Sequence, residues 1–156
     1  MRWWSVLVWG FIATVVLTTL MSGSQGAGIT RMNLPYMLGT LFTPNRDKAK
    51  LVGFVLHMLN GWVFAFFYAL GFLMTGGATW WKGAIFGAVH AAFVLTVGMS
   101  LVPAIHPRMA SEQQGPTITR RLEPPGFLGL HYGYQTPVTV LIAHVVFGII
   151  LGAFLP

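Results

Sequence analysis

Residues 51–75 read LVGFVLHMLNGWVFAFFYALGFLMT, twenty-five positions without one Asp, Glu, Lys or Arg. A helix rises 1.5 Å per residue, so about 20 apolar residues cross the ~30 Å hydrocarbon core of a bilayer. This stretch is long enough, and apart from the indole of Trp62 its polar groups are confined to His57, Asn60, Tyr68 and Thr75.

Outward from it, the same reading predicts spans at residues 3–21, 81–103 and 137–155, little of the chain being left for a soluble domain. The composition agrees, since 55% of residues are hydrophobic and 8% charged, with a mean hydropathy of +0.70. A soluble globular chain carries about 25% charged residues. The expected fold is all-α: a polytopic membrane protein with four transmembrane helices packed as a bundle, one integral membrane domain over residues 1–156, and two long loops. Residues 3–21 have the outline of a signal peptide, but the apolar run exceeds the ~7–15 residues of a signal core and predicts a retained helix.

Lys and Arg set the expected orientation. Arg2 and Lys82 fall on one side, whereas Arg31, Arg46, Lys48, Lys50, Arg108, Arg120 and Arg121 fall on the other. The positive-inside rule places both long loops in the cytoplasm and both termini outside. The net charge of +6 then reports topology and attraction to anionic lipid. Nucleic acid is not an expected partner, because the basic residues are scattered and form no binding module.

The first loop, residues 22–50, contains Met32-Asn33-Leu34-Pro35-Tyr36-Met37-Leu38-Gly39, too short to span and broken by Pro35 and Gly39. It is expected to lie on the surface or to re-enter. The second loop, residues 104–135, holds four prolines and four glycines and is expected to be irregular. Loops this long are functional, disordered or packed on something. Gly76-Gly77-Ala78-Thr79 predicts a tight hairpin between the second and third spans.

Three spans each carry one histidine: His57, His90 and His144. On helical wheels each lies on a glycine-bearing stripe: Gly53, His57, Asn60, Gly61, Phe64, Tyr68 and Gly71; Gly83, Gly87, His90 and Gly98; Pro137, Leu141, His144, Gly148 and Gly152. Small residues four apart let helices approach closely, so the stripes are expected to face inward. Counted from the cytoplasmic ends of the spans, His57 lies ~9 Å deep, His144 ~11 Å and His90 ~20 Å. His57 and His144 are therefore the candidate cofactor ligands, a level pair suited to haem b or a pigment. No metal site is assigned, because His90 stands ~10 Å from the pair and no two histidines are spaced i, i+4. Asn60, Tyr68 and His90 are expected to make intramembrane polar contacts, the ordinary alternative for all three histidines.

Catalytic constellations are missing from view. The only acids are Asp47, Glu112 and Glu123, all in loops. Ser100 and Ser111 lack the strained-turn context of a nucleophile, and without cysteine there is no thiolate chemistry. Enzymatic activity stays open on this reading, with nothing pointing to it.

The segments NLPYMLGT (33–40), HMLNGWVFAFFY (57–68) and GAIFGAVH (83–90) together resemble small four-helix bacterial membrane proteins of unassigned function. The resemblance implies a multi-pass protein of the bacterial inner membrane and carries no activity with it. Three functions are compatible with the sequence. The first is an accessory or structural subunit of a larger complex of respiratory, photosynthetic or membrane-monooxygenase type, with lipid, other membrane subunits or copies of itself as partners. The second is a b-type haem or metal-binding electron-transfer protein using His57 and His144. The third is a small oligomeric transporter or channel.

Overall fold

The computed structural model describes residues 2–155. Four helices are long and apolar enough to cross a membrane, at Trp3–Gly26, Arg46–Met74, Trp80–Ile105 and Thr136–Phe154. Among the described residues there are no strands, only two isolated bridges, Met109 with Leu122 and Ser111 with Gly115. The elements are α1 (Trp3–Gly26), the short α2 (Leu34–Gly39), α3 (Arg46–Met74), α4 (Trp80–Phe93), α5 (Met99–Ile105), which continues α4 through a π-helical turn, and α6 (Thr136–Phe154).

Glycines decide which helices meet. A methyl built on Gly83 would overlap the carbonyl of Gly148, and one on Gly87 the backbone of His144 and Val145, so α4 and α6 pack backbone to backbone. The α1–α3 seam is looser, with Gly10 against Ala65 and Gly61 against Thr14. There the Thr14 hydroxyl donates to the Gly10 carbonyl (2.6 Å), and the Trp62 indole donates to the Leu7 carbonyl (2.9 Å). Helix α6 also packs on α1, which closes three sides of the bundle.

The fourth side differs. Gly76 and Gly77 turn the chain at φ +80° and +109°, conformations that favour glycine, so the expected tight turn is present. The helices it joins nevertheless share little backbone contact. Aromatic rings fill the space instead: Phe72 stacks on Phe86 (5.2 Å), and Tyr68 meets Phe86 and Phe147 edge-on (5.8 and 5.4 Å).

The first loop is neither free nor merely surface-lying. Asn33 caps α2 by accepting from the Tyr36 amide (2.9 Å), and Pro35 sits in the first turn, where its missing N–H costs nothing. The helix then docks on α3, with Gly53 under the Pro35 carbonyl and Gly39 under that of Ala49. Gly53, read as a contact between long helices, in fact seats this short one.

The second loop is mostly irregular, as expected, with one 3₁₀ segment at Phe127–Tyr132. It is packed on the first. Arg31 forms an ion pair with Glu123 (2.8 Å) and also donates to the His131 carbonyl. Arg108 donates to the carbonyls of Thr40 (2.5 Å) and Leu41 (3.2 Å), and Thr30 of the first loop is tied to Thr136, the first residue of α6, by a buried hydroxyl hydrogen bond (2.7 Å). Of the three readings of such long loops, packing on something therefore holds here, since each loop provides a surface for the other.

Candidate functional site

His144 lies on the buried face of α6, and its ring nitrogen Nδ1 bonds to the Val140 carbonyl one turn earlier (2.8 Å). A carbonyl only accepts, so Nδ1 carries the proton and Nε2 keeps its lone pair. His57, on the buried face of α3, is 7% exposed, and its buried Nδ1 has no hydrogen-bond partner. Both rings line one cavity at the loop end of the bundle, with Met21, Met32, Gln25 and Asn33 among its walls. Its volume is about 20 Å³, enough for one water or one monatomic ion.

His90 is not remote from this pair. Its ring meets that of His144 edge-on, with centroids 4.6 Å apart. The ~10 Å offset read from the sequence assumed that α6 and the α4–α5 helix end at the same level on the loop side. They do not. With Gly83 against Gly148 and Gly87 against His144, the antiparallel register puts Leu95 opposite Thr136, where α6 begins. Residues 96–105 continue beyond that point, so His90 and His144 differ in level by only about three residues, or ~4.5 Å. The overhang is clasped by the 3₁₀ segment of the second loop.

His90 also stacks on Phe64 (3.8 Å) and lies 3.4 Å from the Tyr68 hydroxyl through Nδ1. Tyr68 is buried. Two of the three expected polar contacts are thus together, and His144 links them to the cavity that holds His57. Immediately after His90 comes the π-helical turn Val94–Gly98, in which the Met99 amide reaches back five residues to the Val94 carbonyl. Such turns interrupt the α-helical ladder and are frequent at functional sites. Val94 is itself a wall of the cavity.

Asn60 is the exception. It was expected on the inward stripe, but the residue is exposed and has no hydrogen-bond partner among the described residues. The buried face of α3 centres on Gly53, His57, Gly61, Ala65, Tyr68 and Phe72, which is rotated by roughly 50° from the arc of polar and small residues. Leu141, placed on the inward stripe of α6, is exposed as well.

Outside the long helices, His106 is the most buried ionisable group. Its Nε2 donates to the Met37 carbonyl (3.0 Å) and its Nδ1 accepts from the Arg108 amide (3.1 Å). Burial holds its pKa below the usual histidine value, Arg108 adds to that, and the Met37 hydrogen bond opposes it. Tyr132 donates to the Glu123 carbonyl (2.7 Å), and burial, aided by the Glu123 charge, pushes its pKa up to about 12.

Sequence reasoning missed Met21 and Met32 as neighbours of the histidines. Their proximity depends on how the first loop folds back over α1, and no spacing rule predicts that. Among the described residues no group of three or more His, Asp or Glu side chains is placed to share a metal ion. No known protein family matches the chain, and no curated protein or solved structure is significantly similar to it.

Proposed function

We propose that the protein is a multi-pass protein of the bacterial inner membrane that serves as an accessory or structural subunit of a larger membrane assembly. The observation that carries this reading is the exposure of Asn60 on the outer surface of α3. It lies nine residues from Leu51, ~14 Å along the helix axis, and so near the centre of a bilayer around the bundle. A primary amide has two donor hydrogens and a carbonyl acceptor, none of which lipid chains can satisfy. A neighbouring helix can. Interhelical bonds of this kind average ~0.6 kcal/mol and serve chiefly to fix which faces meet.

Beside Asn60 on the same face, Phe64 and Phe67 lead into an apolar groove between α3 and α4, about 420 Å³ in volume and also lined by Gly71, Phe86, Val89 and Phe93. The incomplete α3–α4 seam makes it a place where another apolar helix finds shape as well as a polar anchor. The glycines at Gly10, Gly53, Gly61, Gly83, Gly87, Gly148 and Gly152 are already occupied within the chain, so association through them is not required.

The test is purification from native membranes in mild detergent. Other subunits, or further copies of the chain, are expected to travel with the wild-type protein and to be depleted when Asn60→Leu replaces it. A monomer alone in the wild-type preparation would overturn the proposal.

A further inference from the structure

The geometry points to a binding site for a single copper(I) ion in the cavity walled by His57, His144, Met21 and Met32. Three independent features converge there. The cavity admits one monatomic species, at about 20 Å³. Two imidazoles line it, one with its Nδ1 committed to the Val140 carbonyl and the other with a buried Nδ1 that has no protein partner. The first arrangement is the usual support for a ligating histidine, because the bond at one nitrogen fixes the ring and raises the basicity of the other. Two thioethers complete the walls, from Met21 near the end of α1 and Met32 just before α2, both buried.

The donor set selects the metal. Thioether is a soft ligand that favours copper(I), and imidazole, a borderline one, binds copper as well, whereas carboxylate, carbonyl and water favour magnesium, calcium or manganese. All four donors are neutral, and Asp47, Glu112 and Glu123 are not among the cavity walls. Burial cost grows with the square of the charge, so a divalent ion here would face about four times the penalty of a monovalent one, with no anion to offset it. Methionine has three rotatable bonds, which lets the sulfurs close on an ion without moving the helices. Gln25 and Asn33 are also among the cavity walls, and their side chains bond to each other (3.1 Å).

Detergent-purified full-length protein should be titrated with copper(I) against a coloured chelator. One equivalent is expected to bind, and its X-ray absorption spectrum should contain both sulfur and nitrogen scatterers. Met32→Leu conserves volume and should weaken binding at least tenfold, as should His57→Ala; Met99→Leu, a buried methionine that does not line the cavity, should leave it unchanged. The proposal is overturned if the wild type leaves copper(I) on the chelator, which would mean that the cavity holds only water. It is equally overturned if the spectrum contains only nitrogen and oxygen, if zinc(II) binds in preference, or if Met32→Leu and Met99→Leu behave alike. Circular dichroism of His57→Ala separates loss of the site from loss of the fold, and Met32→Leu decides the question if His57→Ala does not fold.

Discussion

His90 and His144 stand edge to face, their ring centroids 4.6 Å apart, on two helices held together by glycine. The contact follows from the register of the α4–α6 seam, and it brings Tyr68, His90, His144 and the cavity of His57 into one polar line inside otherwise apolar helices.

That seam should be intolerant of added volume. Gly83→Ala places a methyl against the Gly148 carbonyl, which is backbone and cannot swing aside. Overpacking of this kind costs about 1–3 kcal/mol. Thermal unfolding in detergent, followed by tryptophan fluorescence, should occur several degrees lower for Gly83→Ala. Gly23→Ala, where nothing lies within 4 Å of the new methyl, should be neutral or slightly stabilising. Equal transitions for both variants would refute the backbone-to-backbone packing.

Acid should loosen the clasp between the loops. His106 has a folded pKa below its unfolded value, so the unfolded chain binds the proton more readily. Its contribution to stability is complete above pH ~6.5 and is lost as pH falls through the lower folded value. Protonation would also turn Nδ1, which accepts from the Arg108 amide, into a second donor. Hydrogen exchange in residues 33–42 and 104–110 should therefore accelerate, relative to intrinsic rates, between pH 7.5 and 5. His106→Gln should flatten that dependence, and an unchanged pH profile in the variant would sink the assignment.

Alkali should loosen the same region by a different group. Tyr132 has a pKa pushed up to about 12, above the ordinary value of 10. The folded state keeps this proton longer than the unfolded one, so the stabilisation is full below pH ~10 and disappears as pH rises through about 12. Proteolysis within residues 104–135 should increase across that window in the wild type. Tyr132→Phe lacks the ionisation and loses the hydrogen bond to Glu123, so its cleavage should be faster at pH 7 and should rise less steeply above pH 10.

Much of this architecture was legible in the sequence, and the failures share a cause. Hydropathy located the four long helices, and spacing identified Gly83, Gly87, Gly148 and Gly152 as seam residues. What spacing does not contain is the vertical offset between neighbouring helices. Helices assumed to end level place His90 ~10 Å from His144, but α5 overhangs α6 and contacts the second loop, which brings the two rings close to one level. Asn60 was misplaced for a related reason: polar and small residues marked one arc of α3, but burial follows the partners α1, α2 and α6, which sit to one side of it. The ties of Arg31 to Glu123 and of His106 to Met37 span 92 and 69 residues of chain, and no local pattern announces them.

Orientation can be examined without disturbing the fold, because the sequence contains no cysteine. Ser111→Cys, in the second loop, and Thr75→Cys, at the opposite turn, occupy exposed or half-exposed positions. On the orientation proposed from the distribution of Lys and Arg, a membrane-impermeant thiol reagent applied to intact cells should label Thr75→Cys and spare Ser111→Cys until the membrane is permeabilised. The reverse pattern would place the loops outside.

Co-purification from native membranes, with Asn60 intact and then replaced by leucine, bears most directly on the proposed role. The wild-type chain should migrate in native electrophoresis with defined partner subunits or as an oligomer, and Asn60→Leu should lose most of that association while keeping its helical spectrum. A wild-type protein that runs as a monomer, or an Asn60→Leu variant that retains every partner, would contradict an assembly held through the outer face of α3.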